Sequence, residues 1–362
     1  MTEWNAINTT NKVVLIGREI RMATQNSNWH QTLKAKLNAQ PPAALVYTWW
    51  YNWMSFLPPL HTSLGGRPWG DSQDAYLWNL ELPTGFVNYE DGLQIRNAKN
   101  TNQNTAANVT VNAVFGNGTH YNVVAKLSGY TNPQKQLLIT AHYDTVMCSG
   151  FCDNGAGTAG LIELANIFSQ LAANGTYKPD STITFVAFTG EELDCVGSVN
   201  YIKQHIAEMI NITAVINLDC IGSSNLYVTE TNAANGFDLD QTITEAARSL
   251  NVTITTQYQA GSDHEAFQYP AQFNDALKQI WGYDAQIAYA VPVTASAMLG
   301  STPLLYNDKW SIGTPGWIHT SYDNSTSTTT LGWIQPENLG KHIKVAAVAT
   351  VRISPSTEGL LH

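Results

Sequence analysis

Charged residues are scarce in this chain of 362 residues: 18 are Lys or Arg and 28 are Asp or Glu, which together make up 13% of the sequence. Ordinary soluble domains carry roughly 25%. The formal net charge of −10 argues against binding to nucleic acid or to an anionic membrane surface, because both require basic patches. Long apolar runs are missing too, since none approaches the roughly 20 residues that cross a bilayer. We therefore expect no nucleic-acid partner and no membrane-spanning segment.

The chain does contain enough apolar material for a sizeable core. Hydrophobic residues make up 44% of the sequence and aromatic residues 10%, which excludes a disordered or low-complexity protein. At about 100–200 residues per domain, the length suggests two domains. A polar stretch at residues 97–108 is a candidate boundary between them.

The two parts of the chain differ in their hydrophobic pattern. Before residue 100, short apolar strands are predicted at 12–17 and 43–47, and residues 49–80 are rich in Trp, Pro and Gly. From residue 109 onward, strands alternate with helices, which predicts a largely parallel central sheet covered by helices on both faces. The predicted strands of this part are 109–115, 122–127, 136–141, 181–188, 214–218 and 302–306. The predicted helices are 156–172, 198–209, 239–250, 262–280 and 336–351.

Residues capable of metal binding follow three of these strands directly, and one more precedes a helix. They are His142 after strand 136–141, Glu191 and Glu192 after 181–188, Asp219 after 214–218, and Asp153 before helix 156–172. Because the carboxyl ends of parallel strands meet at one edge of a sheet, we expect these side chains to lie close together. Crowded carboxylates repel one another unless cations hold them.

Each of these residues also has an ordinary structural explanation. Asp153 fits a helix N-cap, Glu191 and Glu192 fit a solvated loop, and His142 fits a buried imidazole. Five such residues at successive strand ends are, however, poorly explained by independent coincidences. Histidine and carboxylates without a thiolate suit zinc or a neighbouring first-row ion. Two such ions support hydrolysis, and one of the two adjacent glutamates is then available as a general base.

At these positions the sequence resembles the M28 peptidase family of secreted zinc aminopeptidases, which also includes glutamate carboxypeptidases and glutaminyl cyclases. The resemblance extends from about residue 109 to the C-terminus, with the motifs in the family's order. The motifs are His142-Tyr143-Asp144, Asp153-Asn154-Gly155-Ala156-Gly157, Thr189-Gly190-Glu191-Glu192, Asn217-Leu218-Asp219, Ser262-Asp263-His264, and His319-Thr320 with Asp323.

This resemblance implies two zinc ions per chain and a role for each matching residue. The implied roles are His142 and Asp219 on the first zinc, Glu192 and His319 on the second, Asp153 bridging both, Glu191 as general base, and Asp144 orienting the imidazole of His142. Only the motif points to His319. The implied reaction is removal of N-terminal residues from peptide substrates by a metal-bridging hydroxide. A carboxypeptidase of the same fold is the alternative, ahead of a glutaminyl cyclase or an inactive binding protein.

The resemblance also implies a domain arrangement. Residues 101–362 match the catalytic domain, a three-layer α/β/α fold of the α/β class with a mostly parallel, mixed central sheet. Residues 1–100 resemble a smaller, β-rich protease-associated domain, on strands 12–17 and 43–47 and on segment 85–92. The sequence carries no indication of the oligomeric state.

The four cysteines, at positions 148, 152, 195 and 220, each lie within five residues of a proposed ligand. Candidate disulfides join Cys148 to Cys152 and Cys195 to Cys220, although four cysteines permit three pairings and a separate zinc–thiolate site is an alternative. Disulfides would indicate an oxidising compartment. Asn-x-Ser/Thr sequons favour the same compartment; they begin at Asn8, Asn108, Asn117, Asn174, Asn211, Asn251 and Asn324. We therefore expect a secreted or extracytoplasmic glycoprotein.

The low charge content predicts tolerance of an acidic environment. Near pH 2–3 most carboxylates are neutral, and a chain with only 18 basic residues avoids the cationic self-repulsion that drives acid unfolding. We expect the free energy of unfolding, measured by urea denaturation, to stay nearly constant from neutral pH to about pH 3. Loss of structure near about pH 4 would contradict this expectation.

Overall fold

A computed structural model of the chain describes residues 7–17, 35–48, 83–87, 89–102, 105–112, 118–145, 149–231, 237–257, 261–281, 283–287, 294–302, 318, 323–326 and 334–357. The chain divides into two compact units, of which the first ends at Gly118 and the larger second begins at Thr119. The Trp-rich stretch at residues 49–80 and two residues singled out from the sequence, Cys148 and His319, lie outside the described residues.

The first unit contains a three-stranded parallel sheet in the order β1-β2-β3. Its elements are β1 (Val13–Gly17), β2 (Ala44–Thr48), β3 (Thr84–Val87) and the helix α1 (Tyr89–Thr101). The strands predicted at 12–17 and 43–47 are confirmed, and their apolar side chains Ile16, Leu45 and Val46 are buried. The identity of this unit as a protease-associated domain stays a prediction.

The second unit is built on a seven-stranded mixed sheet in the order β4-β6-β5-β7-β10-β8-β9. Its strands are β4 (Val123–Leu127), β5 (Asn132–His142), β6 (Ser181–Phe188), β7 (Ile212–Leu218), β8 (Asn225–Thr229), β9 (Ile254–Gln257) and β10 (Ser296–Thr302). β5 pairs in parallel with β6 on one side and with β7 on the other. The antiparallel pairs are β4 with β6 and β8 with β10.

Helices cover both faces of this sheet. They are α2 (Gly157–Ala173), α3 (Val196–Gln204), α4 (Leu239–Ser249), α5 (His264–Gln268), α6 (Pro270–Trp281) and α7 (Pro336–Ile353). Successive side chains of β5 alternate between two cores: Leu137 and Ile139 pack with α2, α4 and α7, whereas Leu138 packs with α3, α5 and α6. The three-layer α/β/α architecture and the mostly parallel sheet are thus confirmed. Within the described part of the chain, no helix is long and apolar enough to cross a membrane.

The strand predicted at 109–115 is not formed over residues 109–112, and residues 113–117 lie outside the described residues. Among the described strands, β4 pairs with β6, which places β4 at the edge of the described sheet.

The single helix predicted at 262–280 is two helices, α5 and α6. Tyr269 lies between them with φ −132° and ψ 54°, outside the helical region. Proline pushes the preceding residue out of the α conformation and lacks the N–H that a helix interior needs, so Pro270 begins a new helix. The strand predicted at 302–306 overlaps β10 at one residue, Thr302, and its remainder lies outside the described residues.

The strand order creates a crevice at one edge of the sheet. From β5 the chain passes through α2 to β6 on one side, and from β6 through α3 to β7 on the other side of β5. In open α/β sheets, ligands bind outside the carboxyl ends of the strands where successive connections diverge in this way. The carboxyl end of β5 is therefore where a site is expected.

A core substitution on α2 tests this packing. Leu164 is fully buried against the sheet, whereas Ile162 on the same helix is 64% exposed. Leu164→Ala should lower the free energy of unfolding by about 2–5 kcal/mol because it removes buried contacts and leaves a cavity. The control Ile162→Ala should change it by no more than about 0.5 kcal/mol. Equal losses for the two variants in urea unfolding would contradict the described packing.

Candidate metal centre

Three strand ends and one helix start meet at this edge of the sheet. His142 is the last residue of β5, Asp219 follows β7, and Glu191 and Glu192 begin a short 3-10 turn after β6. Asp153 lies in the turn Phe151–Ala156 that leads into α2, and its backbone there is not helical, with φ −113° and ψ 91°. All five side chains are buried, and none is more than 9% exposed.

Short distances join the five side chains around the imidazole. His142 Nε2 lies 3.1 Å from Asp153 Oδ1, 3.5 Å from Asp219 Oδ1 and 4.0 Å from Glu191 Oε2. Three groups have ligand atoms close enough together to share one ion. They are His142 with Glu191 and Asp219, His142 with Asp153 and Glu192, and Asp153 with Asp219 and Cys220. The structure thus brings together five of the residues singled out from the sequence. The sixth ligand candidate, His319, lies outside the described residues.

The hydrogen bonding of His142 determines which ring nitrogen faces the carboxylates. Its Nδ1 lies 3.2 Å from the backbone carbonyl oxygen of Asp144, which can only accept a hydrogen bond. The proton therefore belongs on Nδ1, and Nε2 presents its lone pair to the site. Within the described residues, neither His142 Nε2 nor Asp219 Oδ1 has a hydrogen-bond partner. Buried atoms of this kind, with lone pairs converging on one place, are what a metal ion requires of its ligands.

Asp144 holds the turn that carries the two glutamates. Its Oδ1 accepts a hydrogen bond from the backbone N–H of Glu191 and its Oδ2 accepts one from Glu192, both at 3.2 Å. The same carboxylate lies 3.6 Å from Nδ1 of His142. The sequence pointed to Asp144 only as a residue that orients the imidazole. The structure adds that its carboxylate connects the end of β5 to the turn after β6.

Two further side chains fix the turn before α2, and neither was assigned a role from the sequence. The amide of Asn154 donates to the carbonyl of Leu218 at 2.9 Å, and its oxygen accepts from the backbone N–H groups of Gly157 and Cys220. The carboxylate of Asp323 accepts from the backbone N–H groups of Cys152 and Asp153, at 2.6 and 3.0 Å. Asp153 is thereby held on the side of β7 where Asp219 lies.

A buried chain of hydrogen bonds orients Asp219. The Ser262 hydroxyl donates to Asp219 Oδ2 at 2.6 Å, the Asn217 amide donates to Ser262 Oγ at 2.8 Å, and Thr140 donates to Asn217 Oδ1 at 2.8 Å. With Oδ2 engaged, Oδ1 is the oxygen left to face His142. Asn217 and Ser262 stood in the sequence motifs, but no local pattern indicated that they form this chain.

Burial and mutual repulsion dominate the electrostatics of the site. Burial raises the pKa of Glu191 well above its usual value, against the opposing effect of His142, and the nearby Glu192 and Asp219 raise it further. Burial lowers the pKa of His142, but the carboxylates of Glu191, Asp219, Asp144 and Asp153 together raise it by more, so that the pKa lies well above its usual value. Burial also raises the pKa of Asp263 to about 7. Bound cations would relieve this excess of buried negative charge, so the residues fit a metal site.

The cysteines are arranged differently from the expectation. Cys152, Cys195 and Cys220 are free and buried, so neither the Cys195–Cys220 nor the Cys148–Cys152 disulfide is formed. Cys152 and Cys220 lie in the same core cluster on one face of the sheet. Cys195 belongs to the loop after β6 and lies in neither core cluster, which explains why it does not meet Cys220.

The family model for peptidase family M28 matches residues 122–332, which is more than half of the chain. The chain belongs to peptidase family M28. This M28 chain is 32% identical over 155 residues to a probable zinc metalloprotease of Pyrenophora tritici-repentis, a match that covers 40% of the chain and 33% of the relative. It is 27% identical over 241 residues to aminopeptidase YwaD of Bacillus subtilis, covering 64% of the chain and 47% of the relative.

Solved structures agree with the fold. The crystal structure of BSAP, a zinc aminopeptidase from Bacillus subtilis, matches with a TM-score of 0.61 at 22% identity, covering 96% of this M28 chain and 71% of that one. At this level of identity the likeness concerns the fold alone. The chain spans less than half the length of the two relatives named above.

Asp144→Asn tests whether this carboxylate organises the centre. An amide offers only one acceptor oxygen, so one of the two backbone N–H groups of Glu191 and Glu192 would lose its partner. We expect Zn²⁺, used as the probe ion, to bind about 10- to 100-fold more weakly in chelator competition. Asp238→Asn is the control, because Asp238 caps α4 and asparagine caps equally well. Unchanged Zn²⁺ affinity in Asp144→Asn would contradict the organising role.

Proposed function

We propose that this M28 chain is a zinc-dependent aminopeptidase that removes N-terminal residues from peptides. One observation carries the proposal: four buried carboxylates and a buried imidazole, whose Nε2 faces them, converge at the carboxyl edge of the sheet. The zinc metalloprotease and the aminopeptidase among the relatives support the same metal and the same reaction. Within the described residues, every group of ligand atoms that could hold a metal contains at least two of these five side chains.

The ligand assignment is the one that the family resemblance implies. His142 and Asp219 would hold one ion, Glu192 would hold a second, and Asp153 lies close enough to His142 to reach both. His319, which the family motif points to, would complete the second set. Two bound zinc ions would polarise the scissile carbonyl and activate water for attack at neutral pH.

Glu191 is the residue we propose as the general base. Its turn is fixed through the backbone N–H that donates to Asp144, so its carboxylate is held beside the ligands. In this position Glu191 would accept the proton that the attacking water loses and return it to the leaving amine. A raised pKa suits this exchange, because the carboxyl group must both accept and release the proton during one turnover.

The amino-terminal specificity is tested with blocked and unblocked peptides. An aminopeptidase needs a free α-amine at the cleaved end, so release of free amino acids should occur with unblocked peptides and disappear when the N-terminus is acetylated. Release of C-terminal residues from N-acetylated peptides would instead identify a carboxypeptidase. No release from either set, by a chain that carries zinc, would favour a binding protein.

Glu191→Gln tests the proposed base. The amide has the same shape but cannot accept the proton, so kcat/KM should fall by about 10²- to 10⁴-fold while the zinc content of the purified protein stays unchanged. Glu163→Gln, an exposed position on α2, is the matched control and should leave both quantities unchanged. If Glu191→Gln kept full activity, or lost its zinc, Glu191 would not be the general base.

A further inference from the structure

A buried histidine on α7 contacts the chain segment that follows Asp219. His342 is 2% exposed, and its Nδ1 accepts a hydrogen bond from the backbone N–H of Gly222 at 3.0 Å. The backbone N–H of Gln335, at the start of α7, donates to the carbonyl oxygen of Gly222 at 2.9 Å. The peptide groups on both sides of Gly222 are therefore bound to α7, three residues after Asp219.

The backbone of this segment turns in a way that few residues adopt. Cys220 has φ 54° and Gly222 has φ 110°, and both values lie in the region that favours glycine. A Cβ atom on residue 222 would lie 3.3 Å from the side chain of Ile334 and 3.4 Å from Cβ of Leu339. The turn after Asp219 is therefore packed closely against the first residues of α7, with little room for a side chain.

Different parts of the molecule hold the two ends of this turn. At the end next to Asp219, the N–H of Cys220 donates to the side chain of Asn154 at 3.2 Å. The Ser301 hydroxyl donates to the carbonyl oxygen of Cys220 at 2.8 Å. At the far end, the contacts with α7 hold Gly222. The direction in which the chain leaves Asp219 thus depends on α7 as well as on the sheet.

The imidazole of His342 can accept this hydrogen bond only while Nδ1 is unprotonated, which places the ring proton on Nε2. Burial, with a smaller effect of the neighbouring Lys341, lowers the pKa of His342 to about 4. Lys341 itself forms an ion pair with Glu337, at 2.7 Å. The ring is therefore neutral at neutral pH, and its acceptor is available to Gly222.

We propose that His342 is a positioning residue of the metal centre: through Gly222 it fixes the turn after Asp219, and thereby the carboxylate of Asp219 on its zinc ion. This inference rests on the proposed function and adds to it a residue that touches no proposed ligand. His342 stands in none of the sequence motifs, and it lies 120 positions from Gly222. Partners that orient a metal ligand contribute strongly to metal affinity, and His342 acts one step further out.

Two substitutions separate positioning from packing. Leucine nearly fills the volume of histidine but offers no acceptor, whereas asparagine is smaller but places an amide oxygen close to the position of Nδ1. If His342 only fills space, His342→Leu should be the milder change. If its acceptor positions the turn, His342→Asn should be the milder change. His342→Ala, which lacks both the volume and the acceptor, replaces the leucine variant if that variant does not fold.

The first measurement is hydrogen exchange of the Gly222 amide in the zinc-free full chain. Loss of the acceptor should make this exchange several-fold faster in His342→Leu and leave it nearly unchanged in His342→Asn. The second measurement is zinc binding by chelator competition. One of the two zinc ions should bind several-fold more weakly to His342→Leu, and the other should bind as it does to the wild type. Lys344→Leu, at an exposed position on the same helix, is the control and should change neither quantity.

The outcomes separate this inference from the proposed function. Two zinc ions bound equally well by the wild type and by His342→Leu would overturn the positioning role alone. A larger loss of zinc affinity in His342→Asn than in His342→Leu would overturn it too, because packing would then explain the effect. A wild-type chain that binds no zinc would overturn the proposed function and, with it, this inference. A chain that binds two zinc ions and shows the expected order of variants, but cleaves no peptide, would overturn the proposed peptidase activity alone.

Discussion

Burial of like charges at one sheet edge is the constraint on which the site depends. Asp153, Glu191, Glu192 and Asp219 are buried around a single imidazole, that of His142. Burying an isolated ion in a protein costs several kcal/mol even after relaxation, and like charges add repulsion. Such a cluster persists only if cations or protons neutralise it. Burial and the neighbouring carboxylates raise the pKa of Glu191 for this reason.

The surrounding polar residues explain how the cluster keeps its geometry. Asp144, Asn154, Ser262 and Asp323 each connect one ligand-bearing segment to another part of the second unit, and most of their partners are backbone groups at strand ends. Ligands placed in this way are fixed before a metal binds, which favours tight binding and precise positioning of a reacting group. The sheet fixes where the ligand residues lie, and the hydrogen bonds fix how their side chains are oriented.

Sequence patterns predicted those parts of the structure that are determined by residues close together in the chain. Strands buried on both faces appear in the sequence as continuous apolar runs. For this reason strand 181–188 was predicted at its observed bounds. The same pattern placed Asp219 at the end of β7. The pairing of β4 with β6 and the hydrogen bond from Ser262 to Asp219 depend on segments distant in the chain. No local pattern encodes such contacts. The short strands β8 and β9 were missed because four or five residues of mixed polarity give little periodic signal.

Metal content per chain tests most directly whether cations neutralise the buried carboxylates. Elemental mass spectrometry of the purified protein, compared with a His142→Ala variant, should find about two zinc ions per wild-type chain and a clear loss in the variant, because the imidazole is the one nitrogen ligand among the four described ligands. A wild-type chain that binds no metal, even after incubation with zinc at neutral pH, would contradict the metal centre.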